Sequence, residues 1–522
     1  CCLLPYCCVK VDGTFTQSSA SGTYTQNGTI TFNTGSTYNH ARSGGTIPSA
    51  TWTADIANPT NGATCKVTGY TFGSITNFGQ NYANFQWNCP NQISDYNNTS
   101  LTFKTQSALT VTSTGTNAFS IYTTTASSTT AQSFTFGSIS VTGGTLNLCT
   151  SSNTNLGIII ATVSGNVSVS NSGVFNLADG TASPPNGSYR SILHIAGDLT
   201  LTGNSQFFCG SSTYRSFVLL NKNGTQVATL SSINSPSRLD FAVASISKLT
   251  LASNFNLSTS ISDFISVAGG IDAANYTIGN SSNTTFYMGG NTSVSAVPTI
   301  TGSITSGSNI ITGLNINPSS YLYAGMSISG VNIPTSSYVI GYTSSTITIS
   351  KVATSSGTVS STSFLGKGAF TTSNTNGLNS SGTSGAVQTY ASVFSSYCNY
   401  TFNGTSQSTG SFTTTPTANT VNILEIAGTV TNNYGATLNA NNLKLTSGTF
   451  TVGAANTINV LSAGKIDFTG GGVLASGSGA GWRARACSPR CPRPRTASAG
   501  CPCRRRARRP AAWRRPLPRS SA

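Results

Sequence analysis

Residues 441–470 read NNLKLTSGTFTVGAANTINVLSAGKIDFTG, and their pattern indicates the fold of the chain. Apolar residues recur there in pairs two positions apart: Leu443 with Leu445, Phe450 with Val452, Ile458 with Val460, and Ile466 with Phe468. Side chains two positions apart lie on the same face of a β-strand. Small residues separate the pairs, so short strands alternate with tight turns. Three such strands, about 23 residues, predict one coil of a parallel β-solenoid whose apolar pairs stack inside it.

The composition of the whole chain agrees with this prediction. Thr 79, Ser 80, Asn 48 and Gly 54 make up half of the 522 residues, and charged residues make up 7%. An ordinary soluble domain contains about 25% charged residues. Glu425 is the one glutamate, so the chain lacks the residues that long amphipathic helices need, and an all-α fold is excluded. No run approaches 18 apolar residues, so no membrane-spanning helix is predicted.

The net charge of +16 comes mainly from the C-terminal end. Residues 482–522 contain 13 Arg and no acidic residue, whereas the remainder of the chain is close to neutral. We therefore expect no nucleic-acid partner and no polybasic membrane patch on the body. The Arg, Pro, Ala and Cys of 482–522 are typical of an out-of-frame segment and predict a disordered tail. The alternative is a basic arm that binds anionic polymers.

The body divides into segments by strand pattern. Residues 1–10 contain four Cys and no signal peptide, and we place them outside the body as an atypical N-terminal end whose export signal lies upstream. The pattern predicts an N-terminal β-repeat module at 11–140, a β-solenoid at 141–297, an inserted small all-β module with longer strands at 298–364, and a second solenoid segment at 365–481.

A local repeat links the two solenoid segments. Ile192-Leu-His-Ile-Ala-Gly197 matches Ile423-Leu-Glu-Ile-Ala-Gly428 in five of six positions. Alternation predicts that Leu193 and Ile195 point inward while His194 and its counterpart Glu425 point outward. Such repetition indicates either coils of one solenoid or two solenoid domains of common ancestry.

Several motifs resemble large repetitive surface proteins of Bacteroidetes that are exported by the type IX secretion route. The residues that resemble the N-terminal module of those proteins are Thr37-Tyr-Asn-His40, Gly44–Pro48, Thr51-Trp52, Thr64–Gly69 and Phe85-Gln-Trp-Asn-Cys89. The residues that resemble their repeats are Gly377-Leu378, Ser384–Gln388, Tyr400-Thr-Phe-Asn-Gly404 and Thr446–Val452. The insert resembles a small β module found in many bacterial and phage surface proteins. The C-terminal sorting domain that the type IX proteins usually carry is not visible. The resemblance implies surface display and no defined chemistry.

Five cysteines lie within the body. Cys65 and Cys89 flank strand-like runs, and we predict a disulfide between them in an exported protein. Cys149 and Cys209 each end a strand; they are either a second disulfide or two unpaired residues of a solenoid wall. Cys398 is left over. None of these spacings is typical of a zinc site, and we predict no metal and no cofactor.

Catalytic signatures are sparse, so we predict that the protein is not an enzyme. Glycosidic hydrolysis needs two carboxylates roughly 5–10 Å apart. No Asp or Glu pair occurs within three positions, although adjacent coils could join Asp179 and Asp198. His40 and His194, the two histidines, accompany no nucleophile motif and are expected to be structural.

Three functions are compatible with these observations. The first is a secreted or cell-surface, adhesin-like or structural protein that contacts glycans, with Trp52 and Trp87 as candidate aromatic platforms; the alternative for each tryptophan is a place in the N-terminal core. The second is a β-helical protein that binds or degrades polysaccharide. The third is an ice-binding surface, suggested by Thr29-Ile-Thr31 and Thr346-Ile-Thr348. We favour the first, with an extracellular location.

Overall fold

A computed structural model of the chain shows an all-β fold. It describes residues 8–19, 26–123, 131–150, 158–179, 189–211, 214–230, 238–257, 263–279, 284–291, 299–318, 322–378, 384–395, 397–410, 420–433, 437–454, 456–461, 463–476 and 481–484. Within these residues, one short 3-10 helix spans Pro59–Asn61, and the other regular elements are strands.

The strands before the insert follow one another closely along the chain. The first thirteen are β1 Cys8–Val11, β2 Thr14–Gln17, β3 Thr29–Phe32, β4 Thr37–His40, β5 Gly45–Thr46, β6 Ala50–Trp52, β7 Thr64–Val67, β8 Ile75–Thr76, β9 Asn81–Asn88, β10 Tyr96–Asn97, β11 Lys104–Ser113, β12 Ala118–Thr123 and β13 Gln132–Val141. The next are β14 Thr145–Thr150, β15 Ile159–Val163, β16 Val167–Val169, β17 Val174–Asn176, β18 Tyr189–Ile195, β19 Leu199–Leu201, β20 Gln206–Phe208, β21 Arg215–Leu220, β22 Gly224–Leu230, β23 Leu239–Val243, β24 Ser247–Leu251, β25 Phe264–Val267, β26 Gly270–Asp272, β27 Thr285–Met288 and β28 Gly290–Asn291.

The insert and the strands after it complete the fold. The insert contains β29 Ile300–Ile304, β30 Ile310–Ile311, β31 Ser327–Gly330, β32 Ser337–Tyr342, β33 Ile347–Ile349 and β34 Gly357–Lys367. The solenoid then continues with β35 Ala369–Thr372, β36 Ala391–Phe394, β37 Asn399–Phe402, β38 Gln407–Ser408, β39 Thr420–Ala427, β40 Val430–Asn432, β41 Thr437–Ser447, β42 Thr449–Val452, β43 Thr457–Val460, β44 Ile466–Asp467, β45 Val473–Ser476 and β46 Gly481–Ala484.

Successive coils pair in parallel, as the spacing of apolar pairs predicts. Leu443 lies beside Ile466, and Phe450 lies beside Leu474. A hydrogen bond from the Lys465 backbone to the Asn442 side chain joins residues 23 positions apart, which matches the predicted coil length. The inward members are buried: Leu443, Leu445, Phe450, Val452, Ile458 and Val460. The parallel β-solenoid is therefore confirmed.

The fourth apolar pair behaves differently from the other three. Ile466 is 37% exposed and Phe468 is 48% exposed, so the prediction that both are buried is wrong. β44 pairs with β41 on one side, and no described strand pairs with it on the other. An inward side chain needs a coil on each side to lose its contact with water.

The solenoid runs without a break through the predicted domain boundaries. β13 spans 140/141, and its strand pairing continues from β11 to β15 and β16. On the far side of the insert, Ile271 of β26 pairs directly with Phe370 of β35. The described coils before, between and after these points form one stack, with apolar ladders from Phe32 to Val460 in one core. Residues 11–140 are therefore the first coils of this solenoid.

The insert is a small all-β unit, as its longer strands predict. Its strands pair antiparallel, with β34 flanked by β29 and β31, and β32 flanked by β31 and β33. It has its own apolar core, which includes Ile300, Met326, Val339 and Ile347. We call residues 299–366 the inserted module.

Each copy of the local repeat ends at a glycine of a glycine ladder, and the two copies belong to different ladders. Gly197 stacks on Gly165, and the Gly165 backbone N–H donates to the Gly137 carbonyl at 2.5 Å. A Cβ at Gly197 would lie 2.2 Å from the backbone carbon of Gly165, and one at Gly428 would lie 2.1 Å from the Gly404 carbonyl oxygen. Both glycines of the repeat therefore stand where backbones of adjacent coils approach too closely for a side chain.

Both ends of the solenoid extend past the boundaries expected from composition. β1 begins at Cys8, within residues 1–10, and pairs in parallel with β3. β46 includes Trp482–Ala484 and pairs in parallel with β43, so these residues do not belong to a disordered tail. The rest of the predicted tail, residues 485–522, lies outside the described residues.

Candidate ligand-binding site

The inserted module covers one outer face of the solenoid. β15, β18, β21, β23, β25 and β27 form a row of parallel strands, which we call the module-side row. Many of its outward side chains are apolar and pack with Ala324, Tyr338 and Ile340 of the module; they include Ile158, Ile160, Ile192, Phe217 and Leu219. Apolar residues on both faces of a strand indicate burial on both faces.

Backbone contacts hold the module against this row. The Ser245 N–H donates to the Gly325 carbonyl at 2.9 Å, and the Ser266 hydroxyl donates to the Ala324 carbonyl at 2.8 Å. Gly325 has φ +91°, and a Cβ there would lie 2.6 Å from the Val243 carbonyl oxygen. The close approach of the two backbones thus depends on a glycine at this turn.

A cavity of about 390 Å³ opens at the edge of this interface. This volume falls within the lower range of small-molecule pockets, about 300–1,000 Å³. The solenoid contributes Tyr189, Phe264 and Tyr287, and the module contributes Tyr323 and Tyr342. Five aromatic side chains thus surround a space that exists because the module and the solenoid meet.

A buried ionic cluster lies next to the aromatic residues of the cavity. Arg215 donates from Nε to Asp240 Oδ2 at 2.7 Å and from Nη2 to Asp240 Oδ1, and Nη2 also donates to Asp263 Oδ1 at 2.6 Å. Tyr189 and the Phe264 backbone N–H each donate to Asp240 at 3.0 Å. Both carboxylates are almost fully buried, whereas the Arg215 side chain is 24% exposed and lines the cavity.

Burial has the largest effect on the pKa values of Asp240 and Arg215 in this cluster. Burial raises the pKa of Asp240, against the opposing hydrogen bonds and charge of Arg215. Burial alone would lower the pKa of Arg215, but its contacts with Asp240 and Asp263 raise it above its usual value. Arg215 therefore remains a cation under all ordinary conditions.

The tyrosine hydroxyls remain neutral hydrogen-bonding groups. Burial raises the pKa of Tyr323 to about 12 and raises the pKa of Tyr287 and of Tyr342. All three residues line the cavity, and the hydroxyls of Tyr323 and Tyr287 also raise the pKa of Tyr342. Together they offer neutral donors and acceptors beside flat apolar rings.

The carboxylates that the sequence suggested for catalysis do not form a pair. Asp198 lies at the start of β19 and forms an ion pair with Lys222 at 2.8 Å. Asp179 follows β17 in another sheet, where it bridges to Thr150. The two carboxylates that do converge, Asp240 and Asp263, lie on adjacent coils. Neither of them is among the residues lining the cavity.

The predicted Cys65–Cys89 disulfide is wrong. Both thiols are free and buried. The register places Cys65 beside Phe85, while Cys89 lies further along, where its Sγ donates to the Val67 carbonyl at 3.5 Å. A spacing close to one coil length therefore does not bring the two thiols into the same rung.

The alternative of unpaired residues holds for Cys149 and Cys209. Cys149 Sγ donates to the Leu177 carbonyl at 3.6 Å, and Cys209 Sγ donates to the Ala178 carbonyl at 3.8 Å. The coil of Leu177 lies between them, and two strand spacings, about 10 Å, exceed the reach of a disulfide. Both thiols are free, as is Cys398.

The prediction that Trp52 and Trp87 offer exposed platforms is also wrong. Trp52 is 3% exposed and stacks on Phe32 at 4.6 Å, with its indole N–H donating to Gln80 at 3.0 Å. Trp87 is fully buried and stacks on Phe119 at 4.7 Å. Both belong to the aromatic core of the first coils, which was the alternative.

Both histidines are buried in the protein. His40 is buried and interacts through Nε2 with the Gly44 carbonyl at 2.7 Å and through Nδ1 with the Tyr38 hydroxyl at 2.9 Å. His194 points away from the solenoid core, as predicted, but the module covers it and leaves it 2% exposed. Burial lowers its pKa to about 4, with a further contribution from Lys351 of the module.

A polar ladder runs along another row of parallel strands, on a face that the module does not cover. This row consists of β24, β26, β35, β37, β39, β41 and β44. The ladder runs through Thr250, Asp272, Thr371, Thr401, Glu425, Lys444 and Asp467. Lys444 pairs with Glu425 at 2.8 Å. Charged residues therefore interrupt the threonines of this ladder at several rungs.

The sequence analysis did not identify the cavity residues. One signal was present: Ile158-Ile-Ile160 and Phe217-Val-Leu-Leu220 are continuous apolar runs in a chain that otherwise alternates, which is typical of strands covered on both faces. Among the described residues, no group of three His, Cys, Asp or Glu side chains is placed to hold a metal ion. No helix in the described part of the chain combines the length and apolar character needed to cross a membrane. Comparisons with protein families, with curated proteins and with solved structures found no match to the chain.

Proposed function

We propose that the protein is a surface-displayed, adhesin-like β-solenoid that binds glycans without cleaving them, through the cavity between the inserted module and the module-side row. The aromatic cavity is the single observation that carries this proposal. Sugar rings present apolar C–H faces that stack on aromatic rings, and they present hydroxyls that need donors and acceptors beside those rings. Tyr287, Tyr323 and Tyr342 supply both kinds of contact.

The secreted or cell-surface location rests on the composition and on the motifs that resemble type IX surface proteins of Bacteroidetes. A hydroxyl-rich body with 7% charged residues over the whole chain is typical of extracellular β proteins. A long solenoid gives such a protein reach, and the module provides a single place for recognition.

Polysaccharide degradation remains the second candidate, because Asp240 and Asp263 lie within reach of each other. Hydrolysis requires one carboxylate to protonate the leaving oxygen and another to act on the opposite face of the sugar. Both carboxylates instead accept hydrogen bonds from Arg215. Arg215 lies between them and the cavity, an arrangement that favours binding over hydrolysis. An ice-binding function has less support, because charged residues interrupt the threonine ladder of the open face.

Binding to a glycan array tests the proposal, followed by calorimetry with the saccharide that binds. Tyr342→Ala and Tyr287→Ala should each weaken binding about tenfold or more, as loss of an aromatic contact residue does. Tyr390→Ala is the matched control, because Tyr390 is 71% exposed and does not line the cavity. Absence of binding to any glycan, or equal loss in all three variants, would contradict the proposal. Release of new reducing ends during incubation would favour the degrading enzyme.

A further inference from the structure

We infer that the cavity selects uncharged sugars and discriminates against acidic sugars, an inference that rests on the proposed glycan binding. The reason lies in how Arg215 is used. A guanidinium in a sugar site is ordinarily suited to the carboxylate of an acidic sugar, because its donors match a carboxylate in pairs. Here the Nε and Nη2 donors are already occupied by the protein's own carboxylates.

The remaining donor group of Arg215 is Nη1. It donates to none of the described residues, and Arg215 lines the cavity with part of its surface exposed. One nitrogen can donate to a sugar hydroxyl or ring oxygen. It cannot form the paired contact that gives a guanidinium its preference for carboxylates.

Charge balance within the cluster points the same way. One guanidinium faces two carboxylates, Asp240 and Asp263, both almost fully buried. An anionic ligand at Nη1 would meet a cation whose charge is already compensated, with two like charges directly behind it. It would also lose its hydration on entering a cavity walled by aromatic rings.

A cationic amino sugar is disfavoured for a different reason. The charged group that lines the cavity is the guanidinium itself, while the carboxylates lie behind it. A ligand ammonium would therefore contact like charge before it approached either carboxylate. Neutral sugars satisfy the tyrosine hydroxyls and Nη1 without either cost.

The test compares matched disaccharides of the gluco, galacto and manno series, each as the hexose, the hexuronate and the hexosamine, with the purified protein. We expect a hexose of one series to bind at least about tenfold more tightly than its uronate and amine counterparts, a difference of about 1.4 kcal/mol. Asp263→Asn should then improve uronate binding about tenfold relative to the hexose, because one of the two carboxylates that face Arg215 loses its negative charge, while Tyr390→Ala leaves the ratio unchanged.

The outcomes separate this inference from the proposed function. Tighter binding of a uronate by the natural protein would overturn the selectivity and leave glycan binding intact. An unchanged ratio in a folded Asp263→Asn variant would also overturn it, and Asp240→Asn provides a second variant should the first fail to fold. Absence of binding to every saccharide would overturn the proposed function and this inference together.

Discussion

His194 and Glu425 occupy the same position in two copies of one sequence repeat, yet the solenoid places them in opposite environments. His194 is 2% exposed beneath the inserted module, whereas Glu425 lies on an uncovered face and pairs with Lys444 at 2.8 Å. Leu193 and Leu424 are both buried inward, but the two copies lie in different rows of strands. β18 pairs along the module-side row, whereas residues 423–426 of β39 pair with β37, and β37 pairs with β35 on the other face. The chemistry of the outward residue follows the layer that covers each face.

Substitutions at the first position of the repeat measure how strongly the module is held. Ile192 is fully buried against the module, whereas its counterpart Ile423 is half-buried on the open face. Ile192→Asp should lower the free energy of unfolding by about 3 kcal/mol or more, because it buries an unpaired carboxylate. Ile423→Asp is the control and should cost less than about 1 kcal/mol. Equal losses in urea unfolding would show that the module contributes nothing to burial at 192.

Acidification should weaken the fold through His194. Its pKa is about 4 in the folded chain because of burial, against an ordinary value of 6.5. In the unfolded chain His194 gains a proton as the pH falls below 6.5, whereas the buried His194 of the folded chain does not. Its contribution to the free energy of unfolding is therefore fully present above pH 6.5 and declines toward pH 4. The loss amounts to about 3 kcal/mol.

His194→Gln tests this assignment by urea unfolding at pH 7 and at pH 4.5. The variant should lose less stability between these two conditions than the natural chain does. His40, whose pKa burial also lowers, leaves part of the dependence in place. An identical pH dependence in the variant would contradict the role of His194.

The buried cysteines should be reduced and unreactive in the native protein. Burial raises the pKa of Cys89, Cys149 and Cys398 to about 12 and raises that of Cys65 well above its usual value, so almost no thiolate is present at pH 8. We expect iodoacetamide to label these cysteines in the denatured protein but not in the native protein, with no reductant added. Peptide mass spectrometry measures the labelling. Exposed Cys8 is the control that labels in the native state. Labelling that requires dithiothreitol would reveal disulfides.

The glycine ladder predicts a large effect for a small substitution. Gly197→Ala places a Cβ 2.2 Å from the Gly165 backbone and should destabilise the chain by about 1–3 kcal/mol, the usual cost of overpacking. Gly13→Ala is the matched control, because a Cβ there has nothing within 4 Å. Thermal unfolding of the two variants should differ by several degrees. Equal unfolding midpoints for the two variants would mean that the backbone around Gly197 shifts without loss of stability.

The solenoid was predictable from the sequence because its signal is local. Leu443 with Leu445 and Phe450 with Val452 show their common face within one strand, and the coil length follows from their spacing. The cavity was not predictable, because Arg215, Asp240 and Asp263 meet only through the register of three coils. The error at Cys65 has the same origin: sequence separation alone does not fix which residue lies beside it.

Because Ile271 pairs directly with Phe370, the solenoid continues on both sides of the inserted module. The chain leaves the solenoid after β28 and returns to it at β35. β26 pairs with β35 as directly as neighbouring strands do where no insert separates them. A different segment could be inserted between β28 and β35 if its two ends lay about one strand spacing apart, about 5 Å. Because the module supplies Tyr323 and Tyr342 while the solenoid supplies Tyr189, Phe264 and Tyr287, exchange of the module alone would replace one wall of the cavity and leave the other wall unchanged.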